Sequence, residues 1–349
     1  MAVGDGALLG GLSYFNVGRE TALGTYNTAT AGLDFISTNI RTLKDSRILE
    51  QIEHSRTYSK RLHLSKTVGG DVEWYFRPEE TADSFILQNA FGGTVTTATV
   101  SGETTGGGGL DHVFSVGNMD QSWPSLCLNV RKGPNSTGKV FEYSGARVNE
   151  LTIRGAVDEP LMMGASFVCM DATQTSNNLE SILTTTANPV LSFVNGRLSV
   201  ETTFASLTST SFWHIQSFEF RLNNNLKDGT ESRRIGSDIL AVLPPGMQTY
   251  ELSAQIRFDT TTAFDAMIAG TEYGAEIQFE DANTISGSVA KAGFLLEFQK
   301  LMVKDAGDPE ISGPDGILTS NVTFDVLRDE SASGYAVRAT VTNQITSFA

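Results

Sequence analysis

The sequence predicts a mainly β fold, with two tandem β-sandwich or partly closed barrel domains that each carry one short flanking α-helix and a long hairpin. Short segments of alternating apolar and polar residues, separated by turn-forming residues, run through most of the chain. A strand followed by a helix occurs twice. The length of 349 residues is ample for two domains.

The first strand-and-helix unit occupies residues 71–93. Val72, Trp74 and Phe76 alternate with other side chains, which predicts a half-buried strand. Pro78 suits the first helical position, and Glu79 and Glu80 follow where the helix dipole favours acidic groups. An apolar stripe then predicts a helix with one buried face and a glycine stop. The stripe comprises Ala82, Phe85, Ile86 and Ala90, and the stop is Gly92.

The second unit occupies residues 250–270 and repeats the same order. Its alternating strand residues are Leu252, Ala254, Ile256 and Phe258. The threonines at 260–262 offer a hydroxyl cap for a helix, and Gly270 offers its stop. The predicted buried stripe of this helix is Phe264, Met267 and Ile268.

The two units keep a constant numerical register. Phe258, Asp265 and Ile268 each follow Phe76, Asp83 and Ile86 by 182 positions. Leu301 and Val303 follow Leu151 and Ile153 by 150, a smaller offset because the second half lacks most of the glycine-rich stretch at 93–109. We interpret the pattern as a duplication.

Composition shifts suggest the domain boundaries. Residues 1–32 are small and glycine-rich and predict an N-terminal arm, which either extends over a neighbouring subunit or is flexible. Residues 33–172 form the first predicted domain and residues 211–349 the second. The Thr-, Ser- and Asn-rich residues 173–210 predict a linker or crossover segment.

The formal net charge of −15, from 40 acidic and 25 basic residues, argues against a surface that grips nucleic-acid phosphates. It suits a wall that repels a passing polyanion, or simply an acidic soluble protein. Cys127 and Cys169 lie in apolar strand-like segments and are expected to be buried free thiols in a reducing compartment. We expect neither a signal peptide nor a membrane span.

A basic cluster interrupts the acidic chain after the first strand of each predicted domain, where a polar excursion predicts a long hairpin. Such a hairpin could meet an acidic surface of another subunit, and a solvated hairpin face is an equal alternative. The basic residues are Arg47, Arg56, Lys60 and Arg61 in the first half and Arg233 and Arg234 in the second.

Patterns typical of enzymes are missing from the sequence, so we predict no catalytic site, no cofactor and no metal. None of the histidines has a cysteine or histidine at metal-ligand spacing. His112 and His214 are expected to be structural. Asp158, Glu159 and Asp308 recur beside prolines and are interpreted as turn residues rather than as acid and base groups.

The stretch Val-Gly-Arg-Glu-Thr-Ala-Leu-Gly-Thr at 17–25 resembles the opening of the major tail tube proteins of long-tailed, siphovirus-type bacteriophages. The resemblance continues through Ser46-Arg47, Gly69-Gly70 and residues 145–153 with the Asp-Glu-Pro turn that follows. It covers most of the chain as an order of elements.

The resemblance implies a β-sandwich with a side helix and a hairpin that contacts the next ring. Such proteins form hexameric rings that stack into a hollow tube with an electronegative inner wall. With two copies of the fold per chain, it implies trimers that give pseudo-hexameric rings. The implied partners are other copies of the chain, the tape-measure protein, the tail tip and tail terminator proteins, and double-stranded DNA in passage during ejection. The implied location is the virion tail, after assembly in the host cytoplasm.

In such a tube, the polar members of the alternating strands are candidates to face the lumen, with outer solvent as the rival assignment. These candidates are Asp71, Glu73, Glu150, Glu251 and Gln255. The basic residues listed above are the candidates for a ring-stacking hairpin.

Two other kinds of protein remain possible from the sequence. One is a β-rich decoration or baseplate protein, which need not have equivalent halves. The other is a carbohydrate-binding or adhesin module, which needs an exposed aromatic platform. Trp74, Trp123 and Trp213 are available for such a platform, but Trp74 belongs to the buried face of its predicted strand.

Overall fold

A computed structural model gives the architecture of the chain. It describes residues 10–50, 57–58, 60–102, 108–116, 123–134, 138–180, 189–208, 213–258, 262–307, 317–331 and 334–346. The described residues contain eighteen strands and two α-helices, and every strand pairing among them is antiparallel. The prediction of a mainly β fold is therefore confirmed.

The strands and helices follow one another along the chain as listed here: β1 (Tyr14–Arg19), β2 (Ala31–Leu33), β3 (Phe35–Thr38), β4 (Arg41–Ile48), β5 (Arg61–Tyr75), α1 (Thr81–Phe91), β6 (Val95–Thr99), β7 (Leu110–Ser115), β8 (Leu126–Lys132), β9 (Lys139–Ala156), β10 (Met162–Cys169), β11 (Asp171–Thr175), β12 (Gly196–Glu201), β13 (Ile215–Asn223), β14 (Thr249–Arg257), α2 (Thr262–Ala269), β15 (Glu272–Thr284), β16 (Lys291–Ala306), β17 (Thr319–Leu327) and β18 (Val337–Asn343).

One continuous run of eight strands crosses both halves of the chain. Its order is β3-β5-β10-β9-β13-β14-β17-β16. The first four strands come from the first half of the sequence and the last four from the second half, and β9 pairs with β13 at the junction. We call this run the eight-stranded sheet. It does not close into a barrel within one chain.

A second layer covers one face of this sheet in each half. In the first half its order is β2-β1-β8-β9-β11, and in the second it is β12-β15-β16-β18-β7-β6. Aromatic rings fill the space between the layers. The ring of Phe15 lies 6.0 Å from that of Phe35, and the ring of Phe220 lies 5.4 Å from that of Phe298. Burial of such side chains is the main stabilising contribution to a sandwich of this kind.

Within the eight-stranded sheet the pairing order β3-β5-β10-β9 is repeated by β13-β14-β17-β16, and several irregularities recur with it. The pairing of β3 with β5 shifts between Phe35 and Ser37, and that of β13 with β14 shifts between Ile215 and Ser217. The β8–β9 and β15–β16 pairs share a second shift. A bulge of this kind bends its strand and redirects the side chains around it, so bulges at matching positions are a detailed similarity between the two halves.

The bulges also correct the predicted alignment of Ile153 with Val303 between the two halves. Phe167 pairs with Val148 just beyond the bulge in the first half, and Phe324 pairs with Val303 at the matching bulge in the second. The counterpart of Val303 is therefore Val148 and not the predicted Ile153. Apolar residues recur at alternate positions in these strands, so a sequence comparison could slip by several residues without losing its match.

The two helices match their predictions to different degrees. Helix α1 begins at Thr81, one turn after the predicted Pro78, and ends at Gly92 in the left-handed conformation, φ 68°. Nine of its eleven residues are buried, including the whole predicted stripe. The predicted stripe of α2 is wrong for Phe264 and Ile268, which are exposed, while Met267 is half-buried against the core. Ala263 and Ala266 are buried instead.

The polar excursions and the terminal segments differ from prediction. Residues 14–19 are not an arm, since β1 is buried between β2 and β8. The predicted linker at 173–210 contributes β12 to the second half, paired with β15. The first excursion forms the predicted β4–β5 hairpin, whereas residues 224–248 of the second contain one short 3-10 turn and no strand.

Candidate functional site: the open face of the eight-stranded sheet

The eight-stranded sheet has one buried face and one open face. Along each strand, residues that point to the core alternate with residues that point away from it, because successive side chains of a strand lie on opposite faces. Val72 and Trp74 are fully buried, while Asp71 and Glu73 between and beside them are not. The charged side chains of the open face are Asp71, Glu73, Glu150, Arg154, Glu219, Arg221, Glu251, Arg257, Lys300, Lys304, Asp305 and Asp325.

All five candidate lumen residues lie on this face. One transverse row of paired residues carries both Glu73 and Glu251, and it runs through Gly164, Thr152 and Arg221. The neighbouring row carries Asp71 and Glu150, which pair with Ser166 from its two sides. Gln255 lies further along β14, beside Ser217. The structure thus brings together side chains that are up to 184 positions apart in the sequence.

Acidic groups outnumber basic ones on the open face, with seven carboxylates and five cationic side chains in the list above. Part of the negative charge is neutralised locally: Arg154 lies 3.4 Å from Glu73, and Lys304 lies 3.7 Å from Asp325. Such exposed pairs add little stability. Asp71 instead accepts a hydrogen bond from the neutral amide of Asn39, at 2.8 Å. The face therefore keeps a net negative charge.

Some charged residues of this face could be assigned to the polar side of their own strand from the sequence, but not to this shared face. Glu219 and Arg221 alternate with Phe218, Phe220 and Leu222 and so could be assigned to a polar face of β13. The order of the strands could not be predicted, so nothing in the pattern of residues placed that face beside Glu73 and Glu150. Arg154 was missed for the same reason.

The candidate stacking residues lie on the β4–β5 hairpin and on the 224–248 segment beside it. Arg47 and Arg61 lie at its outer end, one position apart across the pair, and Lys60 follows. Arg233 donates hydrogen bonds of 3.1 Å to the backbone oxygens of Lys66 and Asp238. The 224–248 segment is therefore packed against the hairpin of its own chain. Arg234 is exposed nearby, and Arg56 lies outside the described residues.

A cavity of about 1510 Å³ lies between the halves. Two charged groups of its lining, the half-buried Glu20 and the buried Arg147, are already engaged. Glu20 accepts hydrogen bonds from the backbone of Gly24 and Gly145 and from Ser125, and burial raises the pKa of its carboxyl. Arg147 stacks on Trp123, at 5.1 Å from the ring. Through these contacts Glu20 and Arg147 hold neighbouring segments of the chain together, which is a structural role.

The three tryptophans do not form an exposed platform. Trp74 is fully buried. Trp123 lies under Arg147 and donates a hydrogen bond of 2.6 Å to the backbone of Asn89. Trp213 packs against Tyr273 and Phe324. The feature that a carbohydrate-binding module would need is therefore not built from these residues.

The cysteines, the turn aspartates and His112 can be located directly in the structure. Both cysteines are buried and unpaired. Asp158 adopts φ 65° in the β9–β10 turn, while Asp308 is outside the described residues. His112 is held between Thr97 and Asn343, each at 2.9 Å. Within the described ranges, no three acidic, histidine or cysteine side chains are grouped so that they could hold a metal, and no helix is long and apolar enough to cross a membrane.

Comparison with known proteins agrees with this architecture. No curated protein matches the sequence at a significant level. A family model described as phage tail tube protein matches residues 10–326, which is most of the chain. The chain therefore belongs to the phage tail tube protein family, and it is a structural protein of the phage tail.

Proposed function

We propose that three copies of this chain close into a ring, that the rings stack into the tail tube, and that the open face of the eight-stranded sheet lines the lumen through which DNA passes. The two halves, which we propose to be a duplication, would give the ring six similar positions. The observation that carries the proposal is the continuous sheet across both halves, with one buried face and one polar, acidic face.

The ends of the sheet support closure between chains. At the β9–β13 junction, the end of a first-half sheet pairs with the start of a second-half sheet. In the described residues, β3 pairs only with β5, so its other edge has no strand beside it. An unpaired strand edge is a template for another chain. In the ring, β3 of one copy would continue the sheet from the β16 side of the next copy.

The dimensions are compatible with a conduit. Three copies supply twenty-four strands, since each contributes eight. At a spacing of about 4.8 Å and a tilt of about 40°, a closed barrel of that size has a backbone diameter of about 48 Å. This leaves a lumen wider than a DNA duplex after side chains are added.

The charge of the open face supports passage rather than binding. A wall of lysine and arginine would hold DNA by many phosphate contacts and release of counterions. A wall with excess carboxylates, such as Glu251 and Glu150, repels the phosphates and lets the duplex slide. Outside the lumen, the basic β4–β5 hairpin with Arg47 and Arg61 is proposed to contact the neighbouring ring.

Tape-measure, tail tip and tail terminator proteins are the proposed partners inside the lumen and at the two ends of the tube, and assembly is proposed to occur in the host cytoplasm. The first test is negative-stain electron microscopy of the purified protein over a range of concentration and salt. We expect hollow rings or tubes with pseudo-sixfold outlines and three chains per ring by mass measurement. Particles that stay monomeric under all conditions, and also with a tail-tip extract, would contradict the proposal.

A further inference from the structure

The two helices occupy matching positions beside the sheet but differ in their surroundings. Helix α1 packs beside β9, the strand that receives β13. Helix α2 packs beside β16, where the backbone nitrogen of Ala306 lies 3.4 Å from the sulfur of Met267. Each helix therefore lies next to the strand at the downstream edge of its own half of the sheet.

The second half of the chain contacts both ends of α1. Asn224, just after β13, donates a hydrogen bond of 2.9 Å to the oxygen of Ala90. Asn343, at the end of β18, donates one of 2.7 Å to the oxygen of Pro78. The ring of Phe294 lies 5.1 Å from that of Phe76, which precedes the helix. Together with β1, β2, β7 and β9 of the first half, these contacts leave α1 with almost no exposed surface.

The corresponding side of α2 is exposed to solvent. Phe264 is 41% exposed and Ile268 is 71% exposed. They are four residues apart, so they lie next to each other on one side of the helix. The opposite side, with Ala263 and Ala266, is buried against the sheet. Two large apolar side chains at the downstream edge are therefore left without the cover that α1 receives.

We infer that Phe264 and Ile268 form a contact site for the first half of a second copy of this chain. The inference rests on the proposed ring, because it repeats between chains the β9–β13 junction that exists within one chain. Asn224 after β13 and Asn343 at the end of β18 bond to the two ends of α1, so the matching contacts of α2 come from the start of β4, near Lys44, and from the segment after β11 of the second copy. The β9–β13 junction beside α1 forms when the chain folds. The junction beside α2, between β16 of one copy and β3 of the next, forms only when chains assemble.

The test replaces both side chains, in Phe264→Asp with Ile268→Asp, and follows assembly by analytical ultracentrifugation and electron microscopy. Because both positions are exposed, the variant chain should keep its circular dichroism spectrum and thermal midpoint. We expect at least a tenfold loss of rings and tubes. Val289→Asp is the matched control, since Val289 is 66% exposed in the β15–β16 turn. The apolar pair Phe264→Leu with Ile268→Leu should retain assembly.

A direct readout keeps the inference testable if the double variant misfolds. Ile268→Cys can be labelled selectively with bimane, because Cys127 and Cys169 are buried. We expect a blue shift of the bimane emission when purified chains assemble. Assembled rings with unshifted emission, normal rings from the Asp variant, or a shift that needs a different tail protein would each overturn the inference. Wild-type chains that form no rings would instead refute the proposed function.

Discussion

Asn224 offers a sharp test of whether the two halves form one structural unit. Its side chain is fully buried at the junction. The amide nitrogen donates to the backbone oxygens of Ala90, at 2.9 Å, and Val148, at 2.8 Å. The amide oxygen accepts from Gln248 at 2.6 Å. One side chain from the second half thus joins the end of α1 to β9.

The cost of Asn224→Ala follows from these contacts. Ala90 lies in the last turn of α1, where the helix offers its carbonyls no internal partner. Removing the amide leaves that oxygen buried without a donor and weakens the bonding of Val148. A buried group that loses its partner costs about 1–3 kcal/mol, so we expect a loss of about 2–4 kcal/mol in the free energy of unfolding.

The assay is urea unfolding of the soluble chain, followed by tryptophan fluorescence and by circular dichroism. Wild type should unfold in one transition with coincident probes, and Asn224→Ala should lower the midpoint in both. Asn321→Ala, an exposed substitution on the open face, is the control and should change the free energy by less than about 0.5 kcal/mol. An equally small effect at Asn224, or two separate wild-type transitions, would refute the account of the junction.

Two further predictions concern charge. The double variant Asp71→Lys with Glu251→Lys should change the free energy of unfolding by less than about 0.5 kcal/mol but raise the binding of DNA by assembled tubes, measured in a filter assay at several salt concentrations. The control Glu330→Lys, which is exposed and lies outside the open face, should not raise DNA binding. Equal DNA binding by the two variants would contradict the assignment of the open face to the lumen. Burial raises the pKa of Asp83 well above its usual range, so the stability that its neutral carboxyl provides is present below the unfolded pKa near 4 and is lost as pH rises through the folded value. Asp83→Asn should therefore gain stability relative to wild type as pH rises across that window in urea titrations, and parallel pH profiles would contradict this.

The sequence predicted the local features well, because they depend on neighbouring residues. Alternation identified the strand with Val72 and Trp74, and Gly92 marked the end of α1. The core face and the polar face of individual strands followed from the same period. The five candidate residues consequently lie on one face, although alternation alone could not say what that face borders.

Features that depend on distant contacts could not be predicted. In α2 the apolar residues Phe264 and Ile268 suggested a buried stripe, yet small alanines contact the sheet. The hairpin β6–β7 belongs to the first half of the sequence but pairs with β18 of the second. Residues 14–19 looked like an arm because glycine and polar residues flank a short strand. For β1 and for the β6–β7 hairpin, the outcome depends on a strand that is over a hundred positions away.

The most direct test of the central claim is a helical reconstruction of assembled tubes by cryo-electron microscopy. We expect three chains per ring, a continuous inner wall of twenty-four strands, and Glu73, Glu150 and Glu251 on its inner surface. A ring of six chains, or a map with the open face of the eight-stranded sheet turned to outer solvent, would contradict it.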